Sequence, residues 1–241
     1  MAMFTIVNNY PGGKNGSGTF QTIINQIPPH DLYVEAFAGS GAILRRKKPA
    51  AATIAIDDDA SACEALKDVV PGLIVVNGDA TRLLRSVIAR SVIARSDFAR
   101  SRIFIYADPP YLFSTRASKR PIYKKEFGTV PQHKRLLKLL KSLDCMVMLS
   151  GYWSDLYEKE LKDWRVVSYN SVTRSGDVVR EYLWMNYPEP VALHDYSFLG
   201  SNFTERQVIK RQIQRWQDRL KRMPPLKRRA LEIALAENKI S

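Results

Sequence analysis

Apolar residues in this chain follow two rhythms. Short apolar runs (Tyr33–Phe37, Thr53–Ile56, Leu73–Val76, Ile103–Ala107 and Met146–Leu149) are strand-length and rich in β-branched or aromatic side chains. Helix-like stretches separate them: Ala42–Lys47, Ser61–Val69, Thr81–Arg95 and Gln132–Leu143. This strand–helix alternation predicts a parallel sheet covered by helices on both faces. The pattern then changes. Arg165–Val172, a glycine-containing turn over Arg174–Asp177, and Val178–Asn186 predict a β-hairpin, so that one antiparallel strand closes the sheet. Further on, Val208, Ile213, Trp216 and Leu220 recur near helical spacing with basic residues between them. Pro224 and Pro225 interrupt, and a second helix is expected over Leu226–Glu237. The expected division is a sheet domain over 1–190 and a helical appendage over 191–241.

Composition adds charge to this outline. With 45% hydrophobic residues, the 241-residue chain can bury a real core. A formal charge of +13 favours a polyanionic partner, nucleic acid first and an anionic membrane second. Residues 201–241 hold eleven Lys/Arg against four Asp/Glu, more than half of that excess. The N-terminus lacks the pattern of a secretory signal, and no apolar run approaches the roughly 18 residues of a spanning helix. A soluble cytoplasmic protein is expected. Cys63 and Cys145 lie far apart and there are only 3 His, which disfavours a disulfide scaffold and a zinc site. SVIAR at 86–90 recurs at 91–95, a small duplication inside a helix.

The chemistry gathers at the strand ends. Val34–Ala42 runs from a strand into a Gly39-Ser40-Gly41 turn expected to open a helix, where a backbone can approach a ligand closely. A dinucleotide fingerprint would want glycine where Leu44 stands. Asp57 follows the second apolar run, placed to grip ribose hydroxyls, and Asp79 follows the third, as an acceptor for an adenine amino group or as a helix cap. Gly13–Thr19 lacks the Lys-Ser/Thr ending of a phosphate loop and reads as a flexible Gly/Ser loop. The sharpest signal is Asp108-Pro109-Pro110-Tyr111 after the buried run Ile103–Ala107. Two prolines fix a rigid turn that holds a carboxylate, a carbonyl and an aromatic ring at the carboxyl edge of the sheet.

Asp108–Tyr111, with Phe37-Ala38-Gly39-Ser40-Gly41 upstream and Tyr10-Pro11-Gly12-Gly13-Lys14 before it, resembles the Dam-like adenine-specific DNA N6-methyltransferases. Phe127, His133, Leu136 and Glu181–Tyr187 resemble later elements of that branch, so the likeness covers roughly residues 10–187. It implies a Rossmann-like class I S-adenosylmethionine-dependent methyltransferase sheet ending in a β-hairpin, here followed by the basic helical appendage. It also implies a cofactor site lined by Tyr10, Lys14, Phe37, Gly39, Gly41, Asp57, Asp79 and Asp108. Asp108 and Pro109 would hold the target amino group, within the turn that Pro110 stiffens, and Tyr111 would stack on a flipped base. No metal is required. The implied partner is double-stranded DNA, with no membrane and no obligate protein partner. An RNA adenine methyltransferase and a non-catalytic nucleic-acid-binding protein on the same fold are the competing readings. Glutamine methylation, usually associated with Asn-Pro-Pro-Tyr, is disfavoured by Asp108 and by the charge.

The chain departs from that family in one respect. Neither the stretch between Asp57 and Asp79 nor that between Asp79 and Asp108 is long enough for a target-recognition domain. Candidate DNA contacts are therefore Arg116, Lys119, Arg120, Lys124 and Lys125 in the Ser114–Lys125 loop, Arg174 and Arg180 in the hairpin, and Lys210, Arg211 and Arg215 in the tail. Phosphate contacts carry no sequence information directly, so a short or relaxed recognition site is expected. The small size resembles phage or prophage enzymes. Restriction pairing, phage protection and epigenetic marking all stay open as roles.

Overall fold

The computed structural model describes residues 13–14, 16, 18–94, 102–116, 126–173 and 176–237. They fall into two compact units that divide between Tyr196 and Ser197. The first is a seven-stranded sheet flanked by helices. Its strands are β1 (Leu32–Ala36), β2 (Ala52–Asp57), β3 (Leu73–Asn77), β4 (Ile103–Ala107), β5 (Met146–Gly151), β6 (Arg165–Val172) and β7 (Val178–Met185). Its helices are α1 (Thr19–Ile24), α2 (Ala60–Leu66), α3 (Ala80–Ala94), α4 (Val130–Lys141) and α5 (Asp155–Glu160). The spatial order is β3-β2-β1-β4-β5-β7-β6. All pairings are parallel except those of β7, which runs antiparallel to β5 and β6. This is the expected Rossmann-like sheet with a terminal hairpin.

Strand alternation sorts the core into two faces. Val34, Ala36, Ile105, Ala107, Val147, Leu149 and Trp184 pack with Leu84 of α3 and with Leu136, Leu137 and Leu140 of α4. The alternate positions on the central strands, Tyr33, Glu35, Tyr106, Ser150 and Glu181, are buried but polar. Tyr33 donates to Glu35 at 2.7 Å, and Leu44 N–H donates to the same carboxylate at 2.9 Å. Burial lifts the Glu35 carboxyl to about 7.

One local expectation changes. Ala42–Lys47 forms consecutive turns rather than a helix. The backbone enters from left-handed residues (Phe37 at φ 60, Gly39 at 50, Gly41 at 64), and Pro49 biases Lys48 towards an extended conformation. Consequently no helix dipole stands behind the glycine turn. α1 begins directly after Gly18, and its Ile23 and Ile24 are buried.

The second unit holds α6 (Phe203–Lys221) and α7 (Pro225–Glu237). Asn202 caps α6, its side chain accepting from Glu205 N–H at 2.9 Å. Neither helix contains a buried residue. No helix among the described residues is long and apolar enough to cross a membrane.

Candidate active site

β1 lies between β2 and β4, so the chain leaves it in one direction and returns on its other side. The carboxyl ends of β1 and β4 therefore meet at a topological switch point, where open α/β sheets form crevices. Ala36 pairs with Ala107, and Asp108 N–H donates to the Ala36 carbonyl at 3.3 Å. The Asp-Pro-Pro-Tyr turn is thereby pinned beside the glycine turn. Asp57, at the tip of β2, joins the two further. Its Oδ2 accepts Gly39 N–H at 2.7 Å, and its Oδ1 accepts Asp59 N–H at 2.9 Å. Burial raises its pKa, and these amide donors oppose the rise.

Asp108 sits in a dense polar cluster. Ser150 Oγ donates to its Oδ1 at 2.5 Å, while Lys14 Nζ lies 3.1 Å from its Oδ2. Ser150 spends its one proton on Asp108, so Tyr106 O–H, 3.2 Å away, donates to Ser150. Lys14, almost fully buried, also reaches Glu181 Oε2 at 3.2 Å. The Tyr111 hydroxyl accepts from Lys14 and donates to Glu181 at 2.8 Å, and Tyr169 donates to the same Glu181 oxygen at 2.9 Å. Burial raises the Asp108 pKa, against the pull of the Lys14 ammonium and the Ser150 hydrogen bond. For Glu181 burial also pushes upward, but Lys14 and the two tyrosine donors outweigh it and hold the carboxyl below its usual range. The Tyr111 ring packs edge-on against Tyr152, with centroids 4.5 Å apart. His133 of α4 is tied to Phe127 O and Tyr157 O–H at 2.7 and 2.8 Å, and burial lowers it to about 4.

The structure thus brings together Lys14, Phe37, Gly39, Gly41, Asp57, Asp108, Pro109, Pro110 and Tyr111 at one sheet edge. Lys14 is engaged with Asp108 and Glu181. Asp79, at the tip of β3, caps the following turn: its Oδ1 accepts Thr81 N–H and O–H at 2.8 and 2.6 Å, and its Oδ2 pairs with Arg82. Tyr10, Lys119, Arg120, Lys124, Lys125 and Arg174 lie outside the described residues. Arg180, Lys210, Arg211 and Arg215 are exposed. Arg116 corrects an expectation. It is buried, pairs with Glu126 at 2.8 Å and stacks over Phe113, so it braces its own loop rather than facing solvent. Ser150 and Glu181 were not singled out from the sequence as site residues. Strand alternation was the available signal, since it puts both on the same polar face as Tyr106.

No family model matches the chain, and no curated protein matches it. Solved structures do resemble it in outline. A S-adenosylmethionine-dependent methyltransferase from Anabaena variabilis is 12% identical, with a TM-score of 0.43, covering 75% of this chain and 89% of its own. A dimethyladenosine transferase from Plasmodium falciparum is 17% identical, with a TM-score of 0.42, covering 70% and 61% respectively. The precorrin 8W decarboxylase of Methanobacterium thermoautotrophicum is 11% identical, with a TM-score of 0.44, covering 71% and 89%. At these identities and scores none of the three bears on what this chain binds or transforms.

Proposed function

We propose that this chain transfers a methyl group from S-adenosylmethionine to the N6 amino group of adenine in DNA. One observation carries the reading: a rigid Asp-Pro-Pro-Tyr turn at the switch point of the sheet, with the Asp108 side chain 17% exposed and oriented by Ser150 and Lys14.

The residues present fit the cofactor. Asp57 accepts backbone amides from Gly39 and Asp59, and a carboxylate with about four lone-pair sites keeps capacity for a ribose hydroxyl. Phe37 holds a left-handed φ of 60 beside Gly39 and Gly41, a strain of the kind that gathers at ligand sites. Asp57, Phe37, Gly39 and Gly41 would hold the molecule, which supplies an electrophilic methyl group when bound. Asp108 and the Pro109 carbonyl accept the protons of the adenine amino group. That nitrogen's lone pair is delocalised into the ring, and two acceptors favour the tetrahedral form it takes on reaction. Tyr111 and Tyr152 offer aromatic surface to a base taken out of the duplex. The exposed basic residues Arg180, Lys210, Arg211 and Arg215 supply phosphate contacts, which position DNA without reading it. Recognition of a short or relaxed site follows.

The test compares duplex DNA, single-stranded DNA and RNA as methyl acceptors, with digestion and scoring of N6-methyladenine. Label in duplex DNA supports the reading. Label in RNA alone would replace it with the RNA alternative.

A further inference from the structure

The Lys14 ammonium lies between two carboxylates contributed by different strands, Asp108 after β4 and Glu181 in β7. Resting on the adenine-methylation reading, we propose that Glu181 is a positioning residue that balances the charge of Lys14, so that Asp108 meets the substrate amino group with its negative charge uncancelled. Glu181 does not need to touch the substrate for this role.

The charge of the trio sets this role. Burying ions costs free energy, and a strand position that only filled space would be served by an apolar residue. Here two acids and one base lie within about 3 Å contacts, at side-chain exposures of 17%, 7% and 4% for Asp108, Glu181 and Lys14. The trio carries one net negative charge. On reaction the N–C bond forms as the C–S bond of the sulfonium breaks, and S-adenosylhomocysteine leaves. The nitrogen is positive until its surplus proton passes to Asp108 or to water. One net negative charge beside it stabilises that development. Without Glu181, Lys14 and Asp108 would cancel. Without Lys14, two carboxylates would face each other and Asp108 would tend to take up a proton, becoming a donor where an acceptor is needed.

The other groups coupled to Asp108 include Glu35, Tyr106, Tyr111 and Tyr169, with Tyr152 alongside and the buried Tyr33 and Tyr157 further off. Burial, helped by nearby carboxylates, raises all these tyrosines, so they stay neutral through the working range. Glu35, lifted by burial to about 7 in the unaltered chain, is kept in every variant.

The experiment is the pH–rate profile of single-turnover methyl transfer to adenine in duplex DNA, with S-adenosylmethionine affinity and thermal melting measured alongside. Glu181→Gln should lower the plateau roughly ten- to hundredfold. It should also move the acid limb to lower pH, because a like charge has left Asp108. Lys14→Gln should move the limb the opposite way, with activity recovering towards alkaline pH. Glu181→Asp keeps the charge and should recover most of the plateau lost in the Gln variant. Should the Gln variant not fold, the Lys14→Gln shift and the Glu181→Asp plateau carry the test. A wild-type plateau in Glu181→Gln, or an unmoved limb in Lys14→Gln, would overturn the role. A wild-type protein that methylates no adenine would overturn the reading beneath it instead.

Discussion

Ser150→Ala removes one oxygen from the centre of the site and leaves the sheet intact. Ser150 is fully buried, donates to Asp108 at 2.5 Å and accepts from Tyr106 at 3.2 Å. A buried hydrogen bond to a charged group is worth about 1.5–3 kcal/mol, and the stranded Tyr106 hydroxyl adds about 1 kcal/mol. With Asp108 charged, the variant should therefore be less stable by about 2.5–4 kcal/mol, lowering Tm by roughly 5–15 °C in a chain of this size. The sign with pH follows from the carboxyl. Burial raises the Asp108 pKa, and the Ser150 hydrogen bond pulls it back, so deleting Ser150 raises it further. The charged part of the cost is thus fully present at alkaline pH and fades as acid protonates Asp108 in both proteins. Between pH 8 and pH 4 the loss should therefore shrink towards the Tyr106 contribution of about 1 kcal/mol. Urea unfolding of wild type and variant at the two pH values measures this difference. Equal losses at both, or a loss under about 0.5 kcal/mol at pH 8, would refute the reasoning.

Gly41→Ala should destabilise by about 2–4 kcal/mol in urea unfolding, since φ is 64 and a Cβ would stand 2.6 Å from Leu66 Cδ2; a loss under about 1 kcal/mol would contradict the turn geometry. Burial lowers His133 to about 4, His30 to about 2 and His194 below its usual value. His133 and His30 stay neutral when folded but charge when unfolded, so stability should fall as pH drops below about 6.5, by at most about 1.4 kcal/mol per pH unit for each, and the lowered His194 acts in the same direction. Glu35, raised to about 7, works the other way, leaving a net slope of up to about two protons in unfolding measured from pH 7 to 5; a flat profile would contradict the histidine burial. Replacing exposed Lys210, Arg211 and Arg215 together with Gln should reduce the salt dependence of DNA binding by roughly 2–3 in log–log slope, with little change in the melt of the sheet. An unchanged slope would remove those residues from the DNA-contact surface.

β1, β2, β4 and β5 were legible because they are almost wholly buried and so read as apolar runs, and β3 reads the same way although Ile74 is half exposed. The hairpin was legible from its turn and from the weaker alternation of its strands. Ala42–Lys47 misled because its composition suits a helix, whereas Phe37, Gly39 and Gly41 set a left-handed approach that composition does not encode. α1 and α5, six residues each, are too short to show a period. In the site, Asp57, Asp108 and Tyr111 stood out because they sit at strand tips, which local sequence marks. Ser150 and Glu181 did not, because their nearness to Asp108 depends on β5 and β7 lying next in order beside β4, a long-range pairing. Arg116 looked like one more cation in a basic loop; only the three-dimensional structure shows Glu126 against it.

The most direct measurement is transfer of tritiated methyl from S-adenosylmethionine to unmethylated mixed-sequence duplex DNA, with Asp108→Ala beside wild type and the product digested to nucleosides. The account predicts label in N6-methyladenine with wild type and its loss in the variant. Label that persists in Asp108→Ala, or appears on another base, would contradict it.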